Sequence, residues 1–297
     1  MAEFDVVCVG VATLDTIAVL PELPGEDQRV LAQPFTTAGG GPAATAAVAL
    51  ARLGASVAFC GIVGDDDAGS TVRSQLEAEG VDIRWLETRP DARTTESVVL
   101  VTEATGARTI ITTPSSAPDP SSIPLDASGW VHTDQTGFPA VRAALARRGG
   151  FAGRLSVDGG NAIHDLELTG IDLYAPTAGA LRTLFDAPSL EERVRLAQAA
   201  GARTVVATDG ARGSVAFDGT NYTEVPPLAV EPLSTIGAGD VFHGALLAAL
   251  VRGDELTDAV RFANVVAALS CRSLDGRSGI PTLAETQTYE LEKKEKN

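Results

Sequence analysis

Short valine-rich apolar runs alternate along this chain with alanine-rich stretches of helical period, and few architectures accept that alternation. The runs are FDVVCVG (4–10), SVAFCGIVG (56–64), GWVHTD (129–134), GRLSVDG (153–159), IDLYAP (171–176) and RTVVATDG (203–210). Strands apolar on both faces need cover on both faces, which a parallel sheet between two layers of helices supplies. The intervening periodicity predicts helices at 42–53, 67–79, 139–148, 177–185, 189–200, 238–252 and 256–270. The expected fold class is α/β, a central, mostly parallel sheet flanked by helices, with ligands held beyond the carboxyl ends of the strands. A single core seldom grows past roughly 250–300 residues. The 297 residues therefore suit one domain spanning 1–297.

Two segments, at about 17–35 and 94–113, break the rhythm. SVVLVT and ARTIITT alternate apolar and polar residues as antiparallel strands do, and Gly106 with Ala107 suits the hairpin turn between them. We expect a small β-sheet lid inserted over the ligand cleft. The edges of an isolated small sheet gain from pairing, which favours a homodimer through the lid. Pro114 to Pro124 reads as a surface connection, and EKKEKN (292–297) as a solvated tail.

Charge narrows the functions. With 23 Lys+Arg against 39 Asp+Glu the net charge is −16, which excludes nucleic acid as the main partner, because phosphate backbones recruit basic surfaces. Lys293, Lys294 and Lys296 are the only lysines, and all fall in the last five residues. The folded body therefore offers none for a Schiff base or a G-x-x-x-x-G-K-[ST] phosphate loop. Any phosphate must be held by arginine, metal or backbone N–H groups. Cys8, Cys60 and Cys271 lie far apart in apolar runs, as buried reduced thiols of a cytoplasmic protein would. MAEFDVVCVG lacks a basic leader region, and no apolar run reaches the roughly 18 residues of a membrane span, so no membrane partner is expected.

Several residues invite functional readings that simpler ones cover. Asp65, Asp66 and Asp67 precede a helix, where the dipole favours acids. His132, His164 and His243 share no ligand spacing, and His243 falls on an alanine-rich helix, where a packing role is expected. Trp85 and Trp130 read as core or interface residues. A G-x-S-x-G hydrolase motif is absent, and no G-x-G-x-x-G follows the first strand.

Chemistry concentrates in Ser234-Thr235-Ile236-Gly237-Ala238-Gly239-Asp240, which leads into VFHGALLAALV. Glycines at a helix start let successive N–H groups and the positive dipole end converge on an anion. Asp240 reads either as a helix-start acid or as a base that takes a proton from an attacking hydroxyl. Gly39-Gly40-Gly41-Pro42 is a second glycine turn into a helix, with Pro42 at the favoured first position. It is either a close-approach surface for a ligand or an ordinary loop. Thr208-Asp209-Gly210-Ala211-Arg212-Gly213 ends a strong strand and by itself reads as a β-turn.

Together, in this order, these windows resemble the ribokinase-like (PfkB) family of ATP-dependent carbohydrate kinases. The resemblance covers nearly the whole chain, including the strand ending at Gly10 to Asp15, GGGPAATAAVALARLG, GIVGDDDAG (61–69), GVD (80–82) and FANVVAALS (262–270). GARTII (106–111), GAGDVFHGAL and GRSGIP (276–281) are most similar to the ketohexokinase and sulfofructose kinase branch. The resemblance implies transfer of the ATP γ-phosphoryl group to a primary hydroxyl of a ketose or related sugar. Asp240 would be the base, and the N–H groups of Gly237, Ala238 and Gly239 an anion hole. Asp15, Gly40, Gly41 and Thr45 would line the sugar pocket, with Arg108 reaching phosphates or sugar. Thr208, Gly210 and Gly213 would border the nucleotide, and Asn264 the adenine. ATP and Mg2+ are the implied cofactors, with K+ as a further ion.

Departures from the family pattern bear on function. Ser234 stands where the motif usually begins with aspartate, which weakens a monovalent-cation site. Thr177-Ala178-Gly179-Ala180 aligns with the family's N-x-x-E and lacks its amide and carboxylate, leaving the protein ligands of Mg2+ unassigned. Thr45 stands where many relatives have asparagine. A sulfonated sugar would need charged donors. Arg29 in the lid could supply one, whereas Thr112 and Thr136 carry hydroxyls, so neutral and sulfonated ketoses both stay open. A non-catalytic sugar or nucleotide sensor and a nucleoside kinase are the alternatives.

Overall fold

The computed structural model describes residues 2–33 and 35–296, with side chains at 290 and 292–296 left aside. The chain opens with β1 (Phe4–Val9), β2 (Thr13–Leu20), β3 (Phe35–Gly40) and α1 (Pro42–Arg52). Then come β4 (Val57–Gly64), α2 (Asp67–Ala78), β5 (Asp82–Arg89), β6 (Thr95–Thr102) and β7 (Arg108–Thr112). The middle holds β8 (Ser128–Thr133), α3 (Phe138–Arg148), β9 (Arg154–Gly159), β10 (Leu173–Pro176), α4 (Ala178–Leu184) and α5 (Leu190–Ala199). The last third holds β11 (Thr204–Thr208), β12 (Ser214–Phe217), β13 (Tyr222–Val225), α6 (Ala238–Arg252), α7 (Leu256–Ser270) and α8 (Leu283–Lys296).

Nine strands form one sheet in the order β13-β12-β11-β10-β9-β8-β1-β4-β5. From β11 to β5 the pairs are parallel, whereas β12 and β13 run antiparallel at one edge. The doubly apolar strands have the predicted cause. On β1, Val6 and Cys8 join a core with α1, α2, α6 and α7, while Val7 and Val9 join one with α3, α4 and α5. Each fully buried valine contributes roughly 1.5–3 kcal/mol, and alternate residues of one strand feed both layers. The three cysteines are free and buried, and Trp130 belongs to the core.

A second, four-stranded sheet runs β3-β2-β6-β7. Its hairpin β6–β7 is antiparallel and turns at Gly106, where φ is 64°, as expected. The first lid segment lies differently from the expected 17–35. Its strands, 13–20 and 35–40, flank a loop, and β2 pairs in parallel with β6. The polar Pro21–Gln33 stretch offers no alternation to pair. Along β6 the odd positions Thr95, Ser97, Val99 and Val101 are buried and face the cleft side, with Asp15 opposite Ser97.

Three elements lie outside the sequence expectations: β5, the β12–β13 edge hairpin and α8. The stretch expected as a tail is helical as far as Lys296, while its side chains and Asn297 lie outside the described residues. The acid run before α2 has a structural use. Asp66 caps the helix by accepting from Gly69 N–H at 2.7 Å and also accepts from Thr94 N–H at 3.0 Å and Thr94 Oγ1 at 2.6 Å. One carboxylate thus pins both a helix start and the entry to β6. No helix among the described residues is long and apolar enough to cross a membrane.

Candidate active site

The carboxyl ends of the central strands meet the start of α6, and polar groups gather there. Gly237 is left-handed with φ 69°, and a Cβ on it would lie 2.9 Å from Gly276 Cα. Only glycine fits so tight a turn. The first turn of α6 therefore presents its backbone outward. Among the described residues the N–H groups of Gly237, Gly239 and Asp240 have no acceptor, and a Cβ on Gly239 would meet nothing within 4 Å. Ala238 differs from expectation: its N–H makes a long 3.4 Å bond to the Thr235 carbonyl, and the Asp240 N–H takes its place among the free donors.

Asp240 lies half-buried in that turn, with its pKa pushed up to about 7 by burial and then by the Asp158 carboxylate, against the opposing charges of His243 and Arg108. From β7 of the small sheet, Arg108 Nη1 donates to Thr235 Oγ1 at 2.8 Å, bringing a guanidinium beside the amide cradle. Ser234 is buried, and its Oγ accepts from Ile236 N–H at 3.2 Å, so it shapes the loop of which it is part.

On the other side of the cleft, β3 ends in the glycine turn. A Cβ on Gly40 would lie 2.0 Å from Asp15 Oδ2, and one on Gly41, at φ 92°, 2.4 Å from the Val11 carbonyl oxygen. The turn is close-packed against the Asp15 carboxylate, which accepts from Thr13 Oγ1 at 2.7 Å. Burial pushes the Asp15 pKa up, while hydrogen bonds from Thr13 and Ser97 and the charge of Arg277 hold it back. Thr45 is buried one turn into α1. Asp15, Gly40, Gly41 and Thr45 are thus brought together; Arg29 is not. It is exposed in the loop between β2 and β3 and makes no hydrogen bond or ion pair among the described residues.

At the end of β11, Thr208 bridges to Thr177, which caps α4 by accepting from Ala180 N–H at 3.0 Å. Gly210 opens a 3-10 turn with φ 57° onto free space, and Gly213, at φ 90°, packs so that a Cβ would lie 2.3 Å from the Val225 carbonyl oxygen. Asn264, the residue expected beside the adenine, is bonded to the strand that follows this turn. Its Nδ2 donates to the carbonyls of Val225 at 3.3 Å and Pro226 at 3.2 Å, and its Oδ1 accepts from Ser214 Oγ. The amide binds its own chain and shapes the wall of this region.

Three groups escaped the sequence reading. Arg277 is buried, donating from Nη2 to the Gly40 carbonyl at 2.7 Å and from Nε to Thr45 Oγ1 at 3.3 Å; burial pulls its pKa down to about 10. Asp134 is fully buried and accepts from the N–H groups of Val11, Ala43, Thr136 and Gly137, locking the ends of β1 and β8 to the starts of α1 and α3. Asp158, at the end of β9, lies 2.9 Å from His243 Nδ1, which replaces the packing role expected of that histidine. Each sits inside or beside a quoted motif, but its partner comes from a remote part of the chain.

The pfkB family carbohydrate kinase pattern matches residues 3–133 and 143–283. The chain belongs to that family. It is a phosphotransferase with an alcohol acceptor, a kinase of the sugar and nucleoside class. Its sequence is 28% identical to the ribokinase of Bacillus subtilis over 310 residues, covering 95% of this chain and 98% of the relative. It is 26% identical to the ketohexokinase of Mus musculus over 310 residues, covering 94% and 100%. The similar identities leave the ketohexokinase branch no more favoured than ribokinase. The fold is that of Thermotoga maritima ribokinase, with a TM-score of 0.86 at 21% identity, covering 97% of this chain and 99% of the other.

Proposed function

We propose that this pfkB kinase transfers the γ-phosphoryl group of ATP to a primary hydroxyl of a ketose or related sugar, with Asp240 as the base. The observation that carries the reading is the open first turn of α6, where unpaired amides, a half-buried carboxylate and the Arg108 guanidinium converge. Phosphoryl transfer is mainly positioning and electrostatics. The Gly237, Gly239 and Asp240 amides stabilise charge on the transferring group, Arg108 adds a full positive charge, and Asp240 takes the hydroxyl proton. No lysine is needed. Asp15 and the Gly39–Gly41 turn hold the sugar hydroxyls, while the Thr208–Gly213 turn borders the nucleotide.

Among the described residues no three His, Cys, Asp or Glu side chains converge as a metal cage. Mg2+ carried in on the ATP phosphates would supply charge neutralisation there without such a cage, and every step above belongs to the chain's own groups. The two sheets form one domain in this reading, the smaller acting as a lid that closes with sugar bound and excludes water. Its outer face carries Val98 paired with Ile111, and Phe35 paired with Ala18 beside Leu100, an apolar surface suited to a second lid. The three free thiols suit a reducing cytoplasm.

An ADP-release assay with fructose-type ketoses, ribose and adenosine as acceptors tests the reading. Turnover is expected with a ketose and is expected to vanish in Asp240→Asn with the fold kept. Full turnover in that variant would remove the base assignment. Preference for adenosine would replace the sugar by a nucleoside.

A further inference from the structure

Behind Asp240 lies a charged pair that the reaction as described does not use. His243 follows Asp240 by three residues on α6, a spacing that puts both on one helix face. His243 Nδ1 lies 2.9 Å from Asp158 Oδ2, and the two side chains are 4% and 3% exposed. Asp158 also accepts from Gly160 N–H at 2.7 Å, which anchors the carboxylate at the end of β9. His132 on β8 closes the far side, its ring centroid 6.0 Å from that of His243 and its Nδ1 3.0 Å from Ser156 Oγ. Buried charges persist only when paired. Here a carboxylate and an imidazole are paired within one helical turn of the reacting carboxylate.

We propose that Asp158, held against His243, is a positioning residue that sets how strongly Asp240 binds the proton it takes from the acceptor hydroxyl. The inference rests on the proposed role of Asp240 as base. The charged groups facing Asp240 are Asp158 and Asp134, which strengthen it as a base, and His243, Arg108 and Arg277, which weaken it. Those facing His243 are Asp158, Asp240 and His132, with the Ala175 backbone. At Asp240 the effect of Asp158 exceeds that of His243. In Asp158→Asn the larger, negative influence is gone. If His243 then keeps its proton, the positive charge acts unopposed on Asp240; if it loses the proton in its dry site, both influences vanish. Either way Asp240 becomes the weaker base. A base works best with a pKa near the operating pH, so the pair keeps Asp240 in that range.

The test is the pH profile of kcat/KM for the full chain, with ATP and the best acceptor of the panel. The acidic limb of Asp158→Asn is expected below that of the native enzyme, by as much as about one pH unit if His243 keeps its proton, with a few-fold lower plateau. If Asp240→Asn still turns over, the base reading falls. If Asp240→Asn is inactive while the limbs of Asp158→Asn and native enzyme superimpose, this inference alone falls. Nitrogen-15 histidine NMR gives a readout independent of turnover and of the folding of the variant, with His243→Gln identifying the resonance. In the native protein His243 is expected to keep both ring protons above the ordinary imidazole range. A neutral His243 at pH 6 would overturn the pair.

Discussion

At Asp240 burial and the Asp158 carboxylate oppose His243 and Arg108, and the outcome is visible as a pH dependence. Its pKa of about 7 makes it a neutral acid below that pH and a carboxylate above it. The acidic limb of kcat/KM is therefore expected near pH 7, falling about tenfold per unit below it, as for any reaction requiring one ionised base. An initial-rate series from pH 5.5 to about 9 checks this; a limb near 4, the ordinary carboxylate range, would contradict it. Gly40 offers a steric counterpart. An added methyl would meet Asp15 Oδ2 at 2.0 Å, and Gly40→Ala is expected to raise KM for the sugar at least about tenfold by displacing that carboxylate. Initial rates against sugar concentration read this directly. Both residues were legible because glycine-rich turns into helices leave a local signature. Arg277 was not: its acceptor at Gly40 is 237 residues away, and nothing in GRSGIP announces it.

Elements were legible where two faces were apolar. The runs that became β1, β4, β8 and β9 and the starts of α1 and α6 lie within a residue or two of their predicted bounds. Elements with one wet face were legible where alternation was clean, as in the β6–β7 hairpin, and not where charges or shortness obscured it. DIRWLETR of β5 carries charges on its exposed positions, and the edge pair β12–β13 has strands of four residues each. Asp66 is the joint between the well-read α2 and the lid. Asp66→Ala removes a helix cap and two bonds to Thr94, and a loss of about 1–2 kcal/mol is expected from the cap alone. Denaturant unfolding measures the loss, and hydrogen exchange is expected to quicken along 95–102 before the core loosens. Equal protection of β6 in variant and native protein would separate the lid from this joint.

For the whole molecule, the exposed side of the small sheet sets the expected assembly. Ile111 is 60% exposed and Phe35 71%, on strands that a second copy could cover. Sedimentation equilibrium is expected to give a dimer for the native chain and a monomer for Ile111→Asp. A native monomer at every concentration would leave the outer face uncovered.

The Arg277 link to Gly40 and Thr45 also fixes when the proposed sugar pocket is complete. A growing polypeptide leaves the ribosome from its N-terminus, so the glycine turn at 39–41 emerges long before the arginine that fastens it. During most of synthesis the early strands can pair, yet they have no finished place for a carbohydrate. Under the proposed function, a sugar can therefore stabilise only chains that already include Arg277, and shorter nascent ones must reach that stage on the strength of their apolar layers alone.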